Sequence, residues 1–279
     1  MKKTLKIFMA FVAVLLLLGV MFLVNGAVGN PISQMVVEKN AKTYVETTYP
    51  NTDYYVARVQ YSFKIGGYYA YIKSRESQDT YFSVMFDFFG NAGYDDFSSY
   101  VSDGFNTWNR INDAYRTATE SILQSLPYET SIEFGEIQTE DKGNNRLDFG
   151  IDMQSLVLDK VYPLEEIGKT YGKITLYVEN QEVSIAKMME ILRTVKSAFL
   201  EKDQFFYAID LVLRTPKTQD KNLKEWEKDW KEIRVECFLY QDISETDFEP
   251  QLKEALLQTN QYFENLNGQK ASEATKTLN

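Results

Sequence analysis

Carboxylates are the residues in this chain that could carry chemistry, because the 279 residues include no histidine and one cysteine. Asp and Glu number 40 against 30 Lys and Arg, which gives a formal net charge of −10 at pH 7. Without histidine the chain can build neither a Ser-His-Asp triad nor a Cys-His pair, and zinc loses its usual nitrogen ligand. The acidic balance also argues against a nucleic-acid partner, since such proteins carry clustered basic residues. Composition therefore predicts a protein that is not an enzyme and holds no cofactor or metal.

Paired carboxylates occur at three places and could in principle do acid–base work or hold a cation. The pairs are Asp95 with Asp96, Glu165 with Glu166, and Asp148 with Asp152. Adjacent acidic residues are more typical of solvated loops. None of the three follows the Asp-x-Asp-x-Asp-Gly pattern of a calcium-binding loop. We therefore expect solvated carboxylates at all three places.

The single thiol, Cys237, lies in the segment IRVECFLY. Strand alternation puts it on one face with Ile233, Val235 and Leu239, and that face is apolar. A reactive cysteine needs a lowered pKa and access to solvent. This pattern therefore predicts a buried, structural cysteine.

Two tryptophans stand out in the segment KTQDKNLKEWEKDWKEIR, which runs from Lys217 to Arg234. Leu223, Trp226 and Trp230 follow one another at three- and four-residue steps, which is typical of a short amphipathic helix. Such a helix would pack its tryptophans onto the domain, and this is the interpretation we favour. The alternative is a ledge on which Trp226 and Trp230 contact a partner or the membrane surface, where tryptophan is enriched.

Tyrosine is concentrated on three predicted strands near the N-terminus and occupies both of their faces. The residues are Tyr54, Tyr55, Tyr61, Tyr68, Tyr69, Tyr71 and Tyr81. Helices must cover one face of the sheet. The other face could be an exposed aromatic surface that contacts a glycan or a peptide. Tyrosine is also simply favoured in strands, which explains the same pattern without a ligand.

The N-terminus predicts where the chain is located. Lys2, Lys3 and Lys6 precede an uncharged apolar run, IFMAFVAVLLLLGVMFLV, from Ile7 to Val24. As a helix this run is roughly 27 Å long, close to the ~30 Å hydrocarbon core of a bilayer. A secretory signal peptide cleaved near Ala27-Val28-Gly29 is the alternative, but its apolar stretch would be shorter.

We favour an uncleaved signal anchor over residues 7–25. The positive-inside rule then keeps residues 1–6 in the cytoplasm and places the rest of the chain outside the membrane. The predicted location is the cell membrane, crossed once. Leaving out the three N-terminal lysines takes the net charge of the exported part from −10 to −13.

Periodicity beyond the anchor predicts an α+β fold with mainly antiparallel sheets in two small domains. Residues 30–127 are predicted to be α-β-β-β-α, with a turn at Gly66-Gly67 between the first two strands and a third strand that ends at residues 90–93. Residues 128–268 have a predicted β-α-β-β-α core, in which Ile174, Leu176 and Val178 alternate with polar neighbours on a strand, and 147–171 are left unassigned. Ser184 is the predicted N-cap of a helix, and Gly268 is the predicted C-cap of the last helix. Residues 269–279 are predicted to be a flexible tail.

Three segments carry a resemblance to a known family. They are VGNPIS from Val28 to Ser33, EKNAKTYVETTYPNTDYYV from Glu38 to Val56, and VQYSFKIGGYYAYIKS from Val59 to Ser74. In these segments the chain resembles the YfjL-like proteins, which are membrane-anchored exported proteins of Gram-positive bacteria with no assigned activity. The resemblance implies an extracytoplasmic α+β protein of two domains. It carries over no active site.

The sequence therefore predicts a non-catalytic module that binds or senses something at the cell envelope, with an envelope protein or a glycan as its partner. A carboxylate-dependent enzyme acting on envelope glycans is the second interpretation. A regulator or inhibitor of an exported protease is the third, since a small α+β module can present a sheet edge to a peptide.

Overall fold

The computed structural model describes residues 2–140, 149–216 and 231–277. The chain divides into two units, each built on one four-stranded sheet. The first unit comprises Met1–Thr107 and Leu156–Lys160, and the second comprises Trp108–Ser155 and Val161–Asn279. The predicted α+β class is confirmed.

Six helices and eight strands make up the described part of the chain. The helices are α1 (Lys2–Val28), α2 (Pro31–Thr48), α3 (Phe105–Leu123), α4 (Leu164–Tyr171), α5 (Ile185–Glu201) and α6 (Glu249–Thr277). The strands are β1 (Tyr55–Ser62), β2 (Gly67–Lys73), β3 (Tyr81–Phe86), β4 (Ala92–Asp95), β5 (Glu129–Ile137), β6 (Gly172–Glu179), β7 (Ala208–Arg214) and β8 (Glu232–Leu239).

The first sheet is an antiparallel meander in the order β1-β2-β3-β4. Gly66, with φ +62°, makes the turn between β1 and β2 at the predicted place. One face of the sheet packs on α2, and the buried residues there are Val37, Ala41, Val45, Ala70, Ile72 and Val84. The sequence predicted three strands, the third ending at residues 90–93, and no strand where β4 lies. That prediction was wrong, because residues 92 and 95 pair with Phe86 and Val84 on β3.

The connection between α1 and α2 is held against the first sheet by two tyrosines. Gly29 adopts φ +76°, and the ring of Tyr61 lies where a β-carbon on this glycine would be. The Tyr61 hydroxyl donates to the carbonyl oxygen of Gly26 (2.6 Å). The Tyr68 hydroxyl accepts from the amide of Asn30 (2.8 Å) and donates to the carbonyl oxygen of the same residue (3.0 Å). The Asn30 side chain caps α2, which begins at Pro31.

None of the helices, over the residues that the structure describes, combines the length and hydropathy needed to span a bilayer. The span predicted over residues 7–25 therefore stays a prediction.

The second sheet has the order β5-β6-β7-β8. The pairs β5–β6 and β7–β8 are antiparallel, whereas β6 and β7 are parallel and are joined through α5. The Ser184 hydroxyl accepts from the amide of Lys187, which confirms the predicted N-cap of α5. The buried face of α5 consists of Met188, Met189, Ile191, Leu192, Val195 and Phe199.

Side chains from two helices cover the outer edges of this second sheet. On α3, the Trp108 indole donates to the carbonyl oxygen of Ile137 (3.0 Å), and the Asn112 carboxamide accepts from the Ile137 amide (2.8 Å). On α6, the Thr259 hydroxyl accepts from the amide of Glu236 (3.2 Å). These contacts satisfy backbone groups that would otherwise be open to pairing with another strand.

Two parts of the second unit differ from or extend the prediction. Helix α4 lies at the C-terminal end of the stretch 147–171 that the sequence left unassigned. Helix α6 continues through Gly268 to Thr277, so the predicted C-cap at Gly268 is wrong. A glycine inside a helix costs only about 1 kcal/mol relative to alanine and does not by itself end it.

Candidate functional site

The outer face of the first sheet carries most of the tyrosines that the sequence singled out. Strand alternation turns Tyr68 into the core, where it is fully buried, while Tyr69 and Tyr71 on the same strand point outward and are half-buried. Tyr55 on β1 and Tyr81 on β3 also belong to the outer face. We call the outward-pointing side chains of β1–β3 the tyrosine face. The predicted distribution of tyrosine over both faces of the sheet is confirmed.

A cleft of about 170 Å³ lies at one end of the tyrosine face. Its aromatic walls come from β2, β3 and the π-helical turn Ser98–Ser102. Besides the tyrosines, its polar lining residues are Lys73, Ser83 and Asp96. The lining residues are Tyr71, Ile72, Lys73, Tyr81, Phe82, Ser83, Asp96 and Tyr100. Tyr100 was not singled out from the sequence, because it lies beyond the strand pattern that identified the other tyrosines.

Arginines contact one ring of the cleft, Tyr71, and one ring elsewhere on the tyrosine face, Tyr55. The Arg58 guanidinium lies 4.2 Å from the centroid of the Tyr71 ring, and that of Arg75 lies 5.3 Å from the Tyr55 ring. Such cation–π contacts stabilise the ring orientation by about 0.5–1 kcal/mol at exposed sites. The Tyr100 ring packs edge-to-face on Phe105, with centroids 5.1 Å apart. The walls of the cleft are therefore supported by contacts within the first unit.

Asp96 faces the cleft and is held by one serine. The Ser83 amide donates to Oδ1 (2.6 Å), and the Ser83 hydroxyl donates to Oδ2 (2.7 Å). This carboxylate is half-buried, so the prediction of a solvated loop was wrong here. The carboxylate is half-buried because β4 pairs with β3 and so places Asp95 and Asp96 against the sheet.

Asp95, its neighbour, points to the α2 side instead. Its Oδ2 accepts from the hydroxyls of Tyr44 (2.8 Å) and Tyr49 (2.7 Å), and its Oδ1 accepts from the amide of Phe97 (2.7 Å). The two carboxylates of the pair therefore serve opposite faces of the sheet. Their separation removes the acid–base pair that the sequence had allowed at this place.

Burial, together with the hydrogen bond to Asp95 and its charge, raises the pKa of Tyr44 and of Tyr49 above the usual value near 10. A raised pKa in the folded state stabilises the fold below the pKa of the unfolded chain. That contribution is lost as the pH rises further.

We therefore expect the free energy of unfolding of the first unit to fall as the pH rises above about 10. NMR titration of ¹³Cζ-labelled tyrosines should show Tyr44 and Tyr49 ionising later than free tyrosine. In Asp95→Asn both should titrate at lower pH than in the wild type, because the negative charge is gone while the burial stays. Unchanged titration in Asp95→Asn would contradict this account of the cluster.

The other two carboxylate pairs contribute no shared site in the described residues. Glu165 and Glu166 are exposed in the first turn of α4, and Glu165 pairs with Lys169 one turn later (2.5 Å). Asp152 is exposed and caps a short 3₁₀ turn at Gln154. Asp148 lies outside the described residues. Across the described chain, no three Asp, Glu or Cys side chains lie close enough together to hold a metal ion.

Cys237 lies at a β-bulge and not on the predicted apolar face. The register between β7 and β8 shifts opposite Asp210, and Cys237 adopts φ +53°. Its amide donates to the Asp210 carboxylate (2.7 Å), and its side chain is half-buried. The bulge inserts one residue into the alternation that the sequence pattern assumed. The predicted burial was therefore wrong.

A lysine beside this bulge is a feature that sequence reasoning missed. The Lys173 ammonium lies 3.3 Å from an Asp210 oxygen and 3.5 Å from a Glu136 oxygen, on three adjacent strands. Burial acts to lower the pKa of Lys173, but Asp210, Glu136 and Cys237 outweigh it and raise that pKa. The lysine therefore stays protonated at neutral pH, which suits an ion-pair role and not that of a general base.

Trp226 and Trp230, the residues predicted for partner contact, lie outside the described residues. Their role in partner contact therefore stays a prediction.

The fold and the tyrosine face define a class: a two-unit α+β protein with an aromatic surface on its first sheet. Comparison with known families identifies the chain more closely. Residues 3–96 match the YfjL-like N-terminal domain, and residues 114–253 match the YfjL-like C-terminal domain. The chain therefore belongs to the YfjL-like family, as its resemblance indicated.

Comparison with individual proteins adds little. No curated protein matches the sequence. Among solved structures, a DUF5037 family protein from Ruminococcus gnavus ATCC 29149 is similar over 73% of this chain and 93% of its own, at 11% identity. The TM-score of that similarity is 0.24, which supports no statement about fold or function.

Proposed function

We propose that this YfjL-like protein is a membrane-anchored module whose tyrosine face binds a ligand of the cell envelope without transforming it. The observation that carries the proposal is the aromatic cleft at Tyr71, Tyr81 and Tyr100, which Lys73 and Asp96 also line. Binding sites are typically concave and aromatic, with a few oriented polar groups. The cleft has this composition.

The anchor is the first half of the proposal. The sequence of helix α1 is apolar all round between Ile7 and Val24, and the side chains that the structure describes there are exposed: Leu16 is 66% and Leu17 is 63% exposed. Exposed apolar side chains on every side are typical of a helix that lies in lipid. The three lysines that precede the run orient it with the rest of the chain outside the cell.

The contacts of the candidate carboxylates favour binding over catalysis. A catalytic pair needs two carboxyl groups facing one substrate, with their pKa values pushed apart. Asp95 and Asp96 instead lie on opposite faces of the sheet, and each accepts hydrogen bonds from its own neighbours: Asp95 from Tyr44 and Tyr49, Asp96 from Ser83.

The edges of the first sheet favour a ligand on the face over a peptide added as a strand. Strand β4 has only four residues. On β1, the Gln34 carboxamide from α2 donates to the carbonyl oxygen of Val59 (3.3 Å), and a bulge interrupts the register after Val56. Short, bulged or occupied edges are poor templates for strand addition.

Site-specific photocrosslinking in intact cells tests this function. Replacing Tyr100 by p-benzoylphenylalanine keeps an aromatic ring at the mouth of the cleft and makes it reactive on illumination. We expect the full-length chain with this probe to form an adduct with envelope material, because Tyr100 is 39% exposed and lines the cleft.

The matched control carries the same probe at Tyr94. This tyrosine lies on β4, is 61% exposed and does not line the cleft, so its accessibility exceeds that of Tyr100. Adducts at Tyr100 and background labelling at Tyr94 support the proposed surface. Equal labelling at the two positions, or none at Tyr100, would overturn it.

A further inference from the structure

We infer that the cleft takes one ring of a neutral, hydroxyl-rich glycan. The inference rests on the proposed binding function of the tyrosine face and names the chemistry of its ligand. It is carried by the size of the cleft, by the arrangement of its rings and by the balance of its charges.

The size indicates a ring-sized occupant. The cleft measures about 170 Å³, whereas pockets for whole drug-sized ligands measure about 300–1,000 Å³. A cleft this small, open along a sheet face, suits one unit of a longer ligand whose other units extend over the neighbouring strands. Tyr69 and Arg58 lie on that neighbouring surface.

The aromatic walls suit a sugar ring. Tyr71, Tyr81 and Tyr100 come from β2, β3 and the π-helical turn, and they line the same space. A pyranose ring has apolar C–H faces and a polar equator of hydroxyls, so it can pack its faces on aromatic rings. Tyrosine adds a hydroxyl at the edge of each ring, which can both donate and accept.

The charged groups of the cleft balance each other. Lys73 makes no ion pair with any residue that the structure describes, so its three N–H donors are available to a ligand. Asp96 is oriented by Ser83, and a carboxylate with two bonds still has lone pairs that can accept. The hydroxyls of a ligand can accept from an ammonium and donate to a carboxylate. One positive and one negative residue in the lining complement a neutral ligand better than a polyanion or a polycation.

Calorimetric titration of the purified full-length chain tests the inference. The protein is held in a detergent without a sugar headgroup, so that the detergent does not compete for the cleft. The probes are a tetramer of N-acetylglucosamine and cellotetraose as neutral glycans, polyglutamate and polyphosphate as polyanions, and tetra-alanine as a peptide. We expect at least one neutral glycan to bind saturably. We expect no binding of either polyanion or of the peptide.

Two pairs of variants locate the binding. Tyr100→Ala and Lys73→Ala should each raise the Kd for the bound glycan by about tenfold or more, which is the effect of removing a central contact residue. Tyr94→Ala and Lys64→Ala are exposed controls outside the cleft and should leave the Kd within about twofold. Circular dichroism of each variant verifies that it is folded.

The outcomes separate this inference from the proposed function. If neither neutral glycan binds, or if a polyanion or the peptide binds in their place, the glycan inference is wrong. Adducts at Tyr100 in the crosslinking experiment would then still support an envelope-binding face. If Tyr100 gives no adduct and glycan binding is unchanged in Tyr100→Ala, both proposals fall.

Discussion

Two arginines in the middle of α1, introduced as Leu16→Arg with Leu17→Arg, are expected to remove the protein from the membrane. An arginine at the centre of a membrane helix costs about 2.5–3.5 kcal/mol on insertion, and two together cost about 5–7 kcal/mol. Both positions lie inside the uncharged run between Ile7 and Val24. The measurement is the fraction of protein in the membrane pellet after an alkaline carbonate wash. We expect the wild type to be retained and the double variant to be lost from the pellet.

The matched control is Leu16→Ala with Leu17→Ala, which shortens the same two side chains but introduces no charge. It should remain in the pellet. Retention of the arginine variant would contradict the anchor. The intact mass of the wild-type protein tests the other interpretation of this segment, because a chain that begins near Gly29 would have lost a cleaved signal peptide.

The substitution Tyr115→Ala is expected to produce the largest loss of stability in the second unit. The Tyr115 side chain is fully buried, its hydroxyl donates to the carbonyl oxygen of Phe205 (2.8 Å), and its ring lies close against Gly168 and Gly172. Removing a buried aromatic ring of this kind costs about 3–5 kcal/mol. Urea denaturation of the full-length chain measures the change in the free energy of unfolding.

Tyr115→Phe separates the ring from the hydroxyl in the same experiment. It keeps the packing but leaves the Phe205 carbonyl without its donor, so we expect a loss of about 1–3 kcal/mol. A loss below about 1 kcal/mol in Tyr115→Ala would show that this ring is not the support that its burial indicates.

Local patterns in the sequence were sufficient to predict most elements of the fold. The alternation of Ile174, Leu176 and Val178 with polar neighbours predicted β6, whose inward residues are fully buried. Ser184 marked the start of α5, and Gly66 marked the turn between β1 and β2. These features depend on residues that are close in the sequence, so a single sequence contains the information.

What the sequence could not predict depends on pairing between distant segments. Strand β4 is short and forms only because it pairs with β3. The bulge at Cys237 depends on the register of β8 against β7. The ion pairs of Lys173 join residues from three strands that are separated by more than thirty positions along the chain.

The cleft shows both situations. Six of its eight lining residues lie on β2 and β3, two of the strands whose tyrosines were predicted to occupy both faces. Tyr100 and Asp96 reach the same space only because β4 returns the chain along β3. The sequence therefore offered an aromatic face as one of two interpretations, and the structure located a cleft on that face.

The measurement that tests the central claim most directly is photocrosslinking from the tyrosine face in intact cells. With the probe at Tyr100, at the mouth of the cleft, we predict adducts with envelope material. With the probe at the more exposed Tyr94, outside the cleft, we predict background labelling alone. Equal labelling at the two positions, or no adduct at Tyr100, would contradict the claim that this face binds an envelope ligand.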